Sequence, residues 1–142
     1  MAFHPIDRDT WDRAERFEHY FSQVPCFYSM TVDLDVTELK RRGGRFYPAV
    51  LYSLAVIVNR HREFRMAFNE EGVLGWYDQL SPSYTVFHPD TESFSCLWTE
   101  YTPDLSAFLQ RYEEDLRLYG SVESFEAKPH TPPNVFNVSM IP

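Results

Sequence analysis

The chain has 142 residues, with 13 Lys and Arg against 21 Asp and Glu, a formal charge of −8, and rings at 17% of its positions. That much ring area has to be buried, which excludes a disordered or low-complexity chain, and at this length one core burying roughly 68% of the unfolded surface is expected. The only cationic run, Lys40-Arg41-Arg42 with Arg45 beyond it, is short, so no footprint for phosphate exists and no nucleic-acid partner is expected.

The N-terminus lacks a cationic region followed by an apolar block, and no stretch approaches the ~20 apolar residues of a membrane span. A cytoplasmic protein without a membrane partner is expected. Cys26 and Cys96 have no CxxC spacing and read as reduced thiols.

In chain order, Thr10 caps an expected helix over 10–22, with Trp11, Ala14, Phe17 and Phe21 at helical spacing and Pro25 beyond its end. Near alternation of Phe27, Tyr28, Met30, Val32 and Leu34 predicts a strand over 26–35. A short helix follows over 36–42, stopped by Gly43-Gly44. The run 48–59 is apolar nearly all round after Pro48 and predicts a helix covered on more than one side. Three strands, 73–77, 83–88 and 93–100, are separated by Pro82 and Pro89-Asp90 and suggest a meander. Thr102 and Pro103 open a helix carrying Leu105, Phe108, Tyr112, Leu116 and Tyr119, ended by Gly120. A polar, Pro-rich segment, 121–134, leads to a last apolar run, 135–141. An apolar strand at that place needs pairing and cover, so the domain is expected to be incomplete. Strands and helices sharing one core indicate an α+β two-layer sandwich.

The five histidines, His4, His19, His61, His88 and His130, stand in no metal-ligand spacing, so no metal is expected. GxSxG, GxGxxG after a strand and GxxxxGK[ST] are absent, which removes the hydrolase, dinucleotide and P-loop classes. His88 ends a strand and reads as a hydrogen-bonded structural histidine rather than a general base, and His61 reads as exposed. Rings crowd around Cys26, at Phe46-Tyr47 and over Tyr84 to Trp98; most belong to a core, and alternation leaves some to line a pocket for a flat aromatic ligand.

Several runs together resemble the chloramphenicol acetyltransferase family. They are Trp11-x-Arg13 with Arg16-Phe17-Glu18, Pro25-Cys26, Arg45-Phe46-Tyr47-Pro48-Ala49, Glu63-Phe64-Arg65-Met66-Ala67, Tyr84-Thr85-Val86-Phe87-His88 with Thr91-Glu92-Ser93-Phe94-Ser95, and Asn137-Val138-Ser139. No single run is diagnostic; their order and spacing are. The resemblance implies a mixed β-sheet flanked by helices, a coenzyme A dependent acyltransferase-like fold, and a homotrimer with sites at subunit interfaces. It also implies O-acetylation of chloramphenicol, hence antibiotic resistance, with acetyl-CoA as cosubstrate and no permanently bound cofactor. The family's His-His-x-x-x-Asp-Gly motif, which carries the general base, is not found in this sequence. Residues 1–142 thus match the N-terminal two-thirds of the pattern, and the chain alone is expected to be inactive.

Carried over by position, Ser139 falls where the family places a hydroxyl that stabilises the oxyanion. Tyr20, Val24, Cys26, Tyr28 and Phe94 fall at the chloramphenicol pocket, while His19 stands where members often have a ring. Arg45, Phe46 and Tyr47 match a segment along the coenzyme A tunnel. Arg13 matches an arginine that pairs with the motif's aspartate; buried and unpaired, it would be costly. Two other readings follow: a truncated homologue serving as a non-catalytic binding or assembly module, and an acyltransferase for another small alcohol, decided at Val24 and Tyr28.

Overall fold

The computed structural model describes residues 2–41 and 43–140; Arg42 and Ile141, which belong to two of the predicted elements, lie outside them. Among the described residues six strands and four α-helices follow in the order β1 (Phe3–Pro5), α1 (Ala14–Glu18), α2 (Thr37–Arg41), α3 (Phe46–Arg60), β2 (Met66–Phe68), β3 (Leu74–Tyr77), β4 (Ser81–His88), β5 (Ser93–Trp98), α4 (Leu105–Tyr119) and β6 (Val135–Val138). The strands form two three-stranded sheets, an antiparallel one in the order β1-β3-β2 and a mixed one in the order β5-β4-β6. The α+β expectation of helices on a mixed sheet holds. The three-strand meander does not: only β4 and β5 form the expected hairpin, and β3 belongs to the other sheet.

Pro82 explains part of that difference. It lies inside β4 rather than before it. The Ser81 N–H points toward β6, donating to Asn134 O at 3.0 Å, so the missing N–H of Pro82 falls on the β5 side. There Pro82 O still accepts from Thr99 N at 3.2 Å, one place beyond the last ladder pair, Ser83 opposite Trp98, so the proline removes only the return bond at the open end of the hairpin.

The core sits between the mixed sheet and two helices. Leu51 of α3, Phe108 and Tyr112 of α4, Tyr84 and Leu97 of the sheet, and Ala127 are all buried together. Only one side of α3 is covered, with Leu51 and Ala55 inside and Leu54 and Ile57 in solvent, so its all-round apolar sequence is not matched by burial on several sides. For α4 the cap is Asp104, not Thr102: Asp104 Oδ1 accepts from Ala107 N at 2.7 Å. Gly43 and Gly44, at φ 71° and 98°, follow α2 in the left-handed region that favours glycine.

The N-terminal third departs most from expectation. The helix over 10–22 is a short α1 continued by a π-turn at His19–Gln23, and Thr10 donates instead to Asp7 Oδ2 at 2.9 Å. The strand predicted over 26–35 is absent. Residues 25–36 carry no regular structure, and Phe27 and Tyr28 are 93% and 85% exposed. Alternation qualifies a segment for a sheet; a strand forms only against a partner ladder, and among the described residues none lies alongside.

Candidate active site on the open face of the mixed sheet

Period-two alternation divides the mixed sheet into a helix-covered face and an open one. Tyr84, His88, Ser95, Leu97 and Thr99 are buried toward the helices. Ser83, Thr85 and Phe87 of β4, paired with Trp98, Cys96 and Phe94 of β5, take the other face, and Asn137 of β6 joins them opposite Ser83. Two residues on from Asn137, Ser139 continues that face beyond the end of β6.

A cleft of about 300 Å³ lies on this face. Its floor includes Thr85, Cys96, Asn137 and Ser139, and its wall is Phe125, Glu126 and Thr131 from the segment after α4. Ser139 is exposed, so its hydroxyl is open to a substrate. The segment adheres to β5 through a parallel bridge, with Cys96 N donating to Phe125 O at 2.7 Å and Ala127 N to Cys96 O at 3.2 Å. Burial pushes the Cys96 thiol above its ordinary value, and the nearby Glu126 carboxylate adds to this, which disfavours the thiolate.

The predicted residues are only partly brought together. Ser139 borders the cleft, and Phe94 reaches it through Phe125, whose ring lies 6.0 Å away edge-on. Tyr20 lies apart, in a groove along α1 and the π-turn with Glu15, Arg16, His19 and Gln23. Val24, Cys26 and Tyr28 lie on the exposed segment. Arg45 stands just before α3, 3.6 Å from Glu113, and Phe46 lies under Lys40 at 5.5 Å. Tyr47 turns toward the core, its ring edge 6.0 Å from Tyr84 and its hydroxyl donating to Thr85 O at 3.5 Å. Arg13 is exposed, so the cost of a buried unpaired charge does not arise, and among the described residues it has no ion pair.

Sequence reasoning missed Phe125 and Asn137 as cleft residues. Stepping back two places from Ser139 along the strand reaches Asn137; nothing in the polar, Pro-rich run around Phe125 signalled a wall. As expected, His88 is buried at its strand end, Nε2 lying 2.9 Å from Ser95 Oγ, and His61 is exposed. No group of metal-ligating side chains occurs among the described residues.

A family model described as "CAT: Chloramphenicol acetyltransferase" matches residues 1–142. The chain belongs to the chloramphenicol acetyltransferase family. A chloramphenicol acetyltransferase of Clostridium perfringens is 56% identical over 142 residues, covering all of this chain and 69% of that protein. One from Clostridioides difficile is also 56% identical, with 67% of its length covered. A solved chloramphenicol acetyltransferase structure superposes with a TM-score of 0.76 at 18% identity, over 97% of this chain and 69% of that one, which establishes a shared fold.

In this member of the chloramphenicol acetyltransferase family, no histidine among the described residues lines the cleft. The arrangement supplies apolar wall, polar floor and a hydroxyl donor, and it leaves proton removal to another group.

Proposed function

We propose that this chain serves acetyl-CoA dependent O-acetylation of chloramphenicol and confers resistance to that antibiotic, as a cytoplasmic protein. The observation that carries this reading is Ser139 at the border of a cleft on the open sheet face, in a chain of this family. The drug's flat ring rests against Phe94 and Phe125. Its primary hydroxyl attacks the thioester carbonyl of acetyl-CoA, the Ser139 hydroxyl donates to the oxygen that gains charge, and the C–S bond then breaks to release the coenzyme A thiolate. The proton lost by the hydroxyl passes to a general base and on to that thiolate. Arg45 and Phe46, with Tyr47 anchoring the helix start, receive the coenzyme arm, the guanidinium meeting a phosphate.

The base belongs to the His-His-x-x-x-Asp-Gly motif, outside this sequence, and residues 1–142 form the N-terminal portion of one domain completed by that segment. Arg13, exposed at the start of α1, is available to the motif's aspartate. The exposed rings at Tyr20, Phe27 and Tyr28 fit burial against a neighbouring subunit of a homotrimer, which would bring the pocket residues of 20–28 beside the cleft.

Chloramphenicol binding, followed by calorimetry, tests the pocket. Phe94→Ala removes wall area and should weaken binding by about 1–2 kcal/mol, roughly five- to thirty-fold. Equal affinity in both proteins removes Phe94 from the site. The absence of histidine from the cleft favours one second reading, a binding module without chemistry. That reading predicts drug binding without coenzyme A release even when the motif-bearing segment is supplied.

A further inference from the structure

We propose that Lys128 is the positioning residue of the cleft, clamping the wall segment to the sheet through a buried ion pair. Residues 121–134 contain no helix or strand, and ahead of Asn134, whose O accepts from Ser81 N, the segment is tied to the sheet by the bridge at Cys96 and Glu126. Two residues beyond it, Lys128 Nζ donates to Asp115 Oδ1 at 2.7 Å and to Trp98 O at 3.0 Å, and it lies 3.8 Å from the centre of the Trp98 ring. Two of the three ammonium protons are thus matched to oxygens, and the cation also faces a π-cloud.

The clamp is rooted in the core. Both side chains of the pair are largely buried, at 16% and 11% exposure. The other oxygen of Asp115 accepts from Thr99 Oγ1 at 2.8 Å, and Thr99 Oγ1 lies 2.9 Å from the Tyr84 hydroxyl. Thr99 has a single hydroxyl proton, which goes to Asp115, so Tyr84 donates to Thr99. Burial holds the Tyr84 phenol far above its ordinary value and keeps that donor protonated. The polar chain therefore runs from β4 behind the cleft, through α4, to the segment forming the cleft's wall. Removing the ammonium leaves a buried carboxylate and a backbone carbonyl each short of a donor, and these losses fall on the attachment of 125–131. The importance of this wall for acetyl transfer rests on the function proposed above; the clamp itself does not.

The test uses the unaltered chain and two variants, Lys128→Met and Lys128→Arg, with no assay of activity. Alkylation of Cys96 by iodoacetamide is followed by peptide mass spectrometry, with exposed Cys26 as the internal standard. Amide exchange at Ala127 and in the β4–β5 hairpin is measured alongside. Lys128→Met should label Cys96 and exchange Ala127 at least about tenfold faster while the hairpin is unchanged, and Lys128→Arg should restore both to within about twofold. If the Met variant fails to fold, Asp115→Asn, which preserves shape and weakens the ion pair, should give the same pattern at smaller amplitude. Unchanged Cys96 and Ala127 rates, equal loosening of the hairpin, or no rescue by arginine would overturn the proposal. None of these outcomes depends on whether the chain acetylates a drug.

Discussion

In the antiparallel sheet, Gly75 of β3 stands between Pro5 of β1 and Ala67 of β2. A Cβ there would overlap the Phe3 ring and the His4 carbonyl oxygen. The ring could turn, but the carbonyl is fixed by the strand. Gly75→Ala should therefore cost about 1–3 kcal/mol, the usual range for overpacking, read as a lowered midpoint in urea. An unchanged midpoint would mean that β1 does not lie against β3 as described. The sequence around Gly75 carries no sign of this requirement, which comes from a strand far away in the chain. Ser139 shows the same limit: alone it is an ordinary strand serine, and only the run Asn137-Val138-Ser139, in its order among the other runs, assigned it a role.

Among the elements, the long helices α3 and α4 were legible because α3 is a long run apolar nearly all round and α4 presents an apolar stripe, signals that need no partner. The three-residue strands β1 and β2 were not legible, since both exist only by pairing with β3. Beyond that pairing, β1 is held by Asp78, whose carboxylate meets Ala2 N at 3.3 Å and His4 Nε2 at 2.6 Å. The His4 contact, foremost, holds the Asp78 carboxyl below its ordinary value. A depressed folded-state value contributes stability above the unfolded value of about 3.9 and loses it as pH falls through the folded value. Acidification through that window should release the N-terminus, seen as faster amide exchange at His4 and Trp76, which face each other across the β1–β3 ladder, and Asp78→Asn should abolish the pH dependence. Identical acid profiles in the parent and the variant would contradict the tie. The failed strand at 26–35 is the converse of β1: good alternation with no partner alongside.

At the scale of the whole molecule, large apolar groups stand in solvent in several places. They gather most densely in the 20–34 segment, and others stand on the outer side of α3 at Leu54 and Ile57 and at Phe87, Phe94 and Phe125 by the open sheet face. Together they exceed the scattered apolar exposure normal for a monomer. The isolated chain should therefore self-associate in sedimentation velocity, or bind a separately supplied C-terminal segment. A monodisperse monomer with a sharp cooperative melt would contradict this.

The most direct test is reconstitution. The chain is co-expressed with the part of the Clostridium perfringens relative that lies outside the matched 69% of its length. Coenzyme A release from acetyl-CoA is then followed with a thiol dye in the presence of chloramphenicol. The purified complex should turn over, and Ser139→Ala should lower kcat roughly 10²-fold or more with little change in KM, because an oxyanion donor acts mainly in the transition state. A soluble complex that releases no coenzyme A, or one whose turnover is indifferent to Ser139, would contradict the assignment of the cleft as the acetyl-transfer site.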